Sequence, residues 1–313
     1  MQERQRKALW SAIISIPILE LFRMGVLSIP YARQGFFCQD DAIRYPLYED
    51  TITSETMFVI FFIVSVCLVV SVEYALIKHL TRAQRRQLIQ EKGAIHPGLL
   101  NCAHIYLSLS CSVLANSAIV NLGKRTALRL RPNFLAVCKP NLTELCLPDT
   151  YRYVEDYVCY GKDREDEYFS FPSGHAAHAA NFGVFLIFYL QKRCKFQDPL
   201  KPFLQFVIFL FSFFVCLSRV RDHKHRLSDV CGGAVIGAMT GLFFMNFVIR
   251  NFRINRYITS EEYVPIATTL VPTAVIHENS ITKAKPVTSE YGSVNSSSSE
   301  NIFEKCSSSQ IKS

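Results

Sequence analysis

Six stretches of the chain are apolar over lengths that suit a bilayer, and charged segments separate them. They lie at about residues 8–29, 56–77, 99–122, 175–191, 203–218 and 230–249. A hydrocarbon core of about 30 Å takes roughly 20 helical residues to cross. Each run therefore predicts one crossing, and the fold class expected is an all-α polytopic membrane protein with six transmembrane helices. The second, fifth and sixth runs are the clearest. The third and fourth (LLNCAHIYLSLSCSVLANSAIVNL and AAHAANFGVFLIFYL) are interrupted by small and polar residues, as in helices that face other helices. The first carries Glu20 and Arg23 one turn apart, a pair costly in lipid and expected to turn inward and bind each other. Its basic N-terminal flank is like that of a signal peptide. The run is long, however, and no clean small-x-small cleavage site follows, so it reads as a retained helix.

The charges between the runs orient them. Arg4, Arg6 and Lys7 precede the first; Lys78, Arg82, Arg85, Arg86 and Lys92 follow the second; Lys192, Arg193, Lys195 and Lys201 follow the fourth; Arg250, Arg253 and Arg256 follow the sixth. The first loop is acidic instead, with Asp40, Asp41, Glu49, Asp50 and Glu55. Basic residues stay on the cytoplasmic side. That predicts a cytoplasmic N-terminus (1–7), a membrane domain (8–250) and a cytoplasmic tail (251–313). The outer loops fall at about 30–55, 123–174 and 219–229. The net charge of +8 follows from this bias and gives no reason to expect nucleic-acid binding. Asn141-Leu142-Thr143, a glycosylation acceptor, falls in the third loop, where the lumenal enzymes reach it. Cys38, Cys138, Cys146 and Cys159 also fall in outer loops, where disulfides persist; four cysteines allow three pairings. No CxxC or HExxH occurs, so no metal site is expected. The tail is serine-rich and aperiodic, which predicts disorder. Gly233, Gly237 and Gly241 line one face of the sixth run, for packing inside the bundle or, as the weaker option, for a homo-oligomer contact.

Three clusters concentrate chemistry at the outer ends of the last four helices. Lys124 and Arg131 stand seven apart, so a continuous helix would project them from one face two turns apart. Ser173 is a natural N-cap at the start of the fourth helix, and Gly174 leaves the first-turn N–H groups open to an anion. His175 in that turn reaches the same anion, whereas His178, deeper, reads as a packing residue. Arg219 ends the fifth helix. His225 and Asp229 stand four apart as the sixth begins, a spacing that sets carboxylate beside imidazole and orients the ring for attack. His223 is out of phase with Asp229. Together the clusters make a phosphate site with a nucleophile and an acid.

Read as motifs, they are Lys124-RTALRL-Arg131-Pro132, Pro172-Ser173-Gly174-His175 and Ser218-Arg219-VRDHK-His225-RLS-Asp229. This resembles the three-part signature of the type 2 phosphatidic acid phosphatase superfamily (K-x6-RP, PSGH, SR-x5-H-x3-D), with every position filled. The first loop, QGFFCQDDAIRYP, is similar to that of the animal lipid phosphate phosphatases, so the resemblance spans roughly residues 8–250. It implies that His225 is the nucleophile of a phosphohistidine intermediate, oriented by Asp229, and that His175 is the acid and base. Lys124, Arg131, Ser173, Gly174 and Arg219 would bind phosphate, with no cofactor and no need of Mg²⁺. The implied substrates are phosphatidate, lysophosphatidate, sphingosine 1-phosphate and ceramide 1-phosphate held in the bilayer. The implied place is the plasma membrane with the site outside, or an endomembrane with the site lumenal. Arg226-Leu227 stand where the family often has an aromatic or a proline, which bears on substrate preference. The rival readings are a non-enzymatic lipid-phosphate-binding relative, a phosphatase of polyprenyl diphosphate or sugar phosphate, and a transporter. A transporter would carry its charges near the midplane rather than at helix ends.

Overall fold

The computed structural model describes residues 2–78 and 97–255, except 148, 150, 163 and 195–198. Most of the basic second loop and the tail from 256 onward, including its expected disorder, lie outside the described residues. Among the described residues six long helices dominate: α1 (Gln2–Leu27), α2 (Ser54–Lys78), α3 (Pro97–Ala127), and, after two short helices α4 (Phe134–Cys138) and α5 (Leu142–Cys146), α6 (Gly174–Arg193), α7 (Leu200–Arg221) and α8 (Leu227–Asn255). They match the six apolar runs, with α1 extending back to Gln2. The protein is an all-α polytopic membrane protein. Five of these helices, all but α6, are long and apolar enough to cross a membrane.

The small and polar residues that weaken the apolar character of α6 are the ones that bury it. Ala176, Ala177 and Ala179 are fully buried, as are Phe185, Leu186, Tyr189 and Leu190. α6 is the central helix, packed against α3, α7 and α8. On α8 the glycine stripe lies directly on its backbone. A Cβ on Gly233 would overlap the carbonyl oxygen of Ser173, and one on Gly237 that of Ala177; one on Gly241 would come within 2.8 Å of Asn181 O. The stripe is thus used inside the bundle, where close approach replaces side-chain interdigitation. The outward faces of α2 and α7 keep Phe62, Phe206, Phe209 and Phe213 exposed, as lipid contact requires.

At the end of the bundle away from the candidate site, Glu73 of α2 is buried. It accepts hydrogen bonds from Arg193 Nε (2.7 Å) and Nη2 (2.9 Å), from Asn101 Nδ2 (2.9 Å) and from Tyr189 O–H (3.2 Å). Three helices are joined there by one carboxylate, whose charge is tolerable only because it is paired and fully hydrogen-bonded. In α1, Arg23 pairs with Glu20 as expected, its Nε donating at 2.9 Å.

The first and third loops fold together into a cap. Phe36–Phe37 (β1) pairs antiparallel with Tyr153–Val154 (β2), Phe36 opposite Val154. Cys38 is bonded to Cys146 and Cys138 to Cys159, which selects one of the three pairings. Under this frame Phe36, Phe134, Tyr157 and Tyr168 form an aromatic core, with Phe36 and Tyr157 edge to face at 5.2 Å. Asn141 is exposed at the N-cap of α5.

Candidate active site

Three loop segments meet where α3, α6 and α8 end or begin. The chain leaves α3 at Ala127 and turns, Leu128 taking a left-handed φ of 43°. Lys124 and Arg131 therefore do not share a helical face, contrary to expectation. Both nevertheless line the same cavity, because the turn folds Arg131 back. The turn is held from both sides: Ser170 N–H donates to Arg129 O (2.8 Å) and Arg131 N–H to Glu167 O (3.0 Å). Gly123 lets Pro172 approach, its position leaving 2.7 Å between a would-be Cβ and the proline Cδ. Ser173 caps α6, its Oγ accepting from Ala176 N–H, and its own N–H donates to Asp229 O (3.0 Å). A Cβ on Gly174 would lie 4.0 Å from Lys124 Nζ, so the ammonium stands over the open start of α6.

The cavity, of about 330 Å³, is lined by Lys124, Arg131, Gly174, His175, Arg219 and His225. These come from all three sequence clusters. Arg23, Asp50, Ser54, Asp166 and Lys224 also line it; sequence reasoning had not assigned them to the site. Ser173 and Asp229 are buried behind its wall. Cations predominate over the two carboxylates, and a helix N-terminus opens among them, which together favour an anion. Among the described residues no group of three or more His, Cys, Asp or Glu side chains is arranged to hold a metal ion.

Arg219, fully buried, is aimed by two carboxylates. Its Nη2 donates to Asp222 (2.9 Å) and its Nη1 to Asp50 (2.8 Å). Asp222 is itself fixed by Thr51, through N–H at 2.8 Å and Oγ1 at 2.5 Å. Arg219 Nη1 and Ser54 Oγ each lie 3.4 Å from His175 Nε2. His178 lies deeper, against Asn116 (3.2 Å) and Ser117 (3.3 Å), and packs on Phe58.

His225 and Asp229 are arranged differently from the expectation. α8 starts at Leu227, so His225 lies before the helix and the four-residue step does not set the two side chains face to face. His225 Nδ1 instead meets the carbonyl oxygen of Ser170 at 2.7 Å. A carbonyl only accepts, so Nδ1 carries the hydrogen and Nε2 keeps its lone pair. Asp229 takes hydrogen bonds from Ser170 Oγ (2.6 Å), Arg129 Nη1 (2.7 Å) and Arg226 N–H (2.9 Å). Ser170 is the shared residue, with its main chain on the histidine and its hydroxyl on the aspartate. Neither Ser170 nor Arg129 carried a spacing signal toward Asp229, because the contacts cross 59 and 100 positions. Burial holds the His225 imidazole well below its ordinary pKa, and Arg131 and Lys124 add to this; the Ser170 bond opposes it. Burial likewise raises the Glu167 carboxyl, against the attraction of Arg131 and Lys224.

His223, left without a role by the sequence, has a left-handed φ of 53°. Its ring lies against Tyr45 (4.7 Å between centroids) and Tyr48 (5.1 Å) of the first loop. It packs that loop onto the α7–α8 turn and does not line the cavity.

A helical bundle built for a bilayer defines a multi-pass membrane protein as the class, and a cation-lined cavity with two histidines at its helix ends suits a phosphate group. The PAP2 superfamily model matches residues 105–253. Phospholipid phosphatase 1 of Mus musculus is 33% identical over 232 residues, 72% of this chain and 77% of that protein. Phospholipid phosphatase 2 of Mus musculus is 32% identical over 245 residues, 77% of this chain and 84% of that one. A Drosophila melanogaster relative, 27% identical, is matched over 64% of its own length. No solved structure matches the chain. The chain belongs to the PAP2 superfamily and is a lipid phosphatase.

Proposed function

We propose that the chain hydrolyses lipid phosphomonoesters (phosphatidate, lysophosphatidate, sphingosine 1-phosphate and ceramide 1-phosphate) through a phosphohistidine, without a metal. The observation that carries this reading is the single cavity onto which Lys124, Arg131, Arg219, His175 and His225 all open. The phosphate oxygens take the three cations and the Gly174 N–H, while Ser173 keeps that helix start in place. His225 Nε2 attacks phosphorus; the P–N bond forms as the bond to the lipid oxygen breaks, and His175 gives that oxygen its proton. Water, deprotonated by His175, then attacks phosphorus and frees His225 and inorganic phosphate. Asp229 supports the nucleophile through Ser170. Fixed donors of this kind each contribute about 3 kcal/mol to such reactions, and the cations supply the charge that Mg²⁺ supplies elsewhere.

The helix-end position of the cavity suits a monoester whose tails remain in the bilayer. Both termini are assigned to the cytoplasm and the site to the outer face, at the plasma membrane or the lumenal side of an endomembrane. The test is phosphate release in EDTA-containing detergent micelles from the lipid monoesters, glucose 6-phosphate and a polyprenyl diphosphate. The wild type is expected to act on the lipid monoesters. His225→Ala should abolish release, whereas His223→Ala should keep most of it. Equal loss in both variants removes the assigned nucleophile; loss of wild-type activity in EDTA removes the metal-free mechanism. No hydrolysis of any substrate would favour a lipid-binding relative.

A further inference from the structure

The cationic cavity contains a carboxylate that phosphate binding alone does not explain. Asp50 lines it and is 40% exposed, whereas Asp222, the other partner of Arg219, is 4% exposed. Asp222, held by Thr51, already aims the guanidinium, and Arg219 Nε is 3.2 Å from Ser218 Oγ. The Nη1 edge is therefore the one left for substrate, and Asp50 occupies that edge at 2.8 Å. A phosphate oxygen arriving at Nη1 meets a second anion, and the repulsion is strong in a partly dehydrated site. A hydrogen-bond donor on the substrate, placed beside its phosphate, relieves it. The place is right for such a donor. Asp50 precedes α2, whose Ser54, Met57 and Phe58 also line the cavity. It thus lies on the side where polar wall gives way to apolar wall, as a lipid does between its phosphate and its chains.

We propose that Asp50 is a specificity-determining residue. Its carboxylate accepts a hydrogen bond from a hydroxyl or ammonium on the carbon next to the phosphate-bearing carbon of the lipid. This rests on the phosphatase reading above and deepens it. Lysophosphatidate offers such a hydroxyl and sphingosine 1-phosphate such an ammonium; phosphatidate carries an ester at that carbon and offers no donor. Replacement of the carboxylate by an amide keeps an acceptor for the hydroxyl but loses the charge that the ammonium meets.

The test is kcat/KM of the full chain in mixed micelles for phosphatidate, lysophosphatidate, its 2-deoxy analogue and sphingosine 1-phosphate. In Asp50→Ala both ratios, lysophosphatidate to phosphatidate and sphingosine 1-phosphate to phosphatidate, should fall about tenfold, the worth of one hydrogen bond to a charged group. Asp50→Asn should lower the sphingosine 1-phosphate ratio more than the lysophosphatidate ratio. Wild type should prefer lysophosphatidate to the 2-deoxy analogue by about the same factor, a comparison that needs no variant. Ratios that stay within about twofold in both variants would reduce Asp50 to a prop for Arg219 and overturn the proposal. So would equal turnover of the analogue pair. Wild type that hydrolyses none of the four would instead sink the phosphatase reading itself.

Discussion

The Ser170 carbonyl is the acceptor that sets the tautomer of His225, while burial and the surrounding cations, against that bond, keep the imidazole neutral. Burial and the neighbouring Arg131 and Lys124 all disfavour a proton on Nε2. His225, the proposed nucleophile, should therefore keep its lone pair below pH 6.5, the ordinary histidine range. The acid limb of kcat/KM assigned to it is expected below that value, read from a pH–rate profile of the free enzyme. Linkage has the same sign. As pH falls through about 6.5 the unfolded chain takes up a proton that the folded site does not. Stability should then decrease with acidification, and thermal unfolding at pH 7 and pH 5.5 measures it. The residue types at these positions could be read from the motifs. The contacts could not, because Ser170, Arg129 and Asp229 meet only after three loops fold together.

Helix α6 shows why small residues in a weak apolar run can mark the centre of a bundle rather than a doubtful crossing. Its partner α8 comes so close that a Cβ on Gly237 would overlap Ala177 O, whereas one on Gly25 of α1 would meet nothing within 4 Å. Gly237→Ala should destabilise by about 1–3 kcal/mol, the range for overpacking. Gly25→Ala, in open space, should be neutral or slightly stabilising because alanine is the better helix former; thermal melts in detergent compare the two. The Glu73 cluster is a second joint between helices, at the far end from the cavity. Arg193→Ala leaves a buried carboxylate without its guanidinium and should cost about 3–5 kcal/mol. Activity per folded molecule should persist, since the site is untouched; unfolding and phosphate release measured on one preparation separate the two effects. Glu73 gave no signal beyond a single acid in an apolar run, and its partner lies 120 positions away.

On the scale of the whole molecule, the first and third loops are structured rather than passive connections. Two disulfides, a two-residue strand pair and an aromatic core bind the first loop to the third. The first loop in turn carries Asp50 and Thr51 to Arg219 and its partner Asp222. The loop farthest in sequence from the three motifs thus helps to hold the site. Exposed Asn141 belongs to the same cap, and the proposed topology sets it outside. Endoglycosidase treatment should shift the mass of the wild-type chain made in a glycosylating cell, and Asn141→Gln should abolish the shift. An unshifted wild type would count against that orientation at this loop.

The six apolar runs, the pairing of Glu20 with Arg23 and the identities of the motif residues were set by sequence alone. Hydrophobic periodicity, charge and spacing are local properties, and a bilayer imposes its length on any helix that crosses it. Which cysteines pair, what orients His225 and where Asp50 lies were decided only by the tertiary structure. Each depends on a contact between segments far apart in the chain, and no local spacing encodes such a distance.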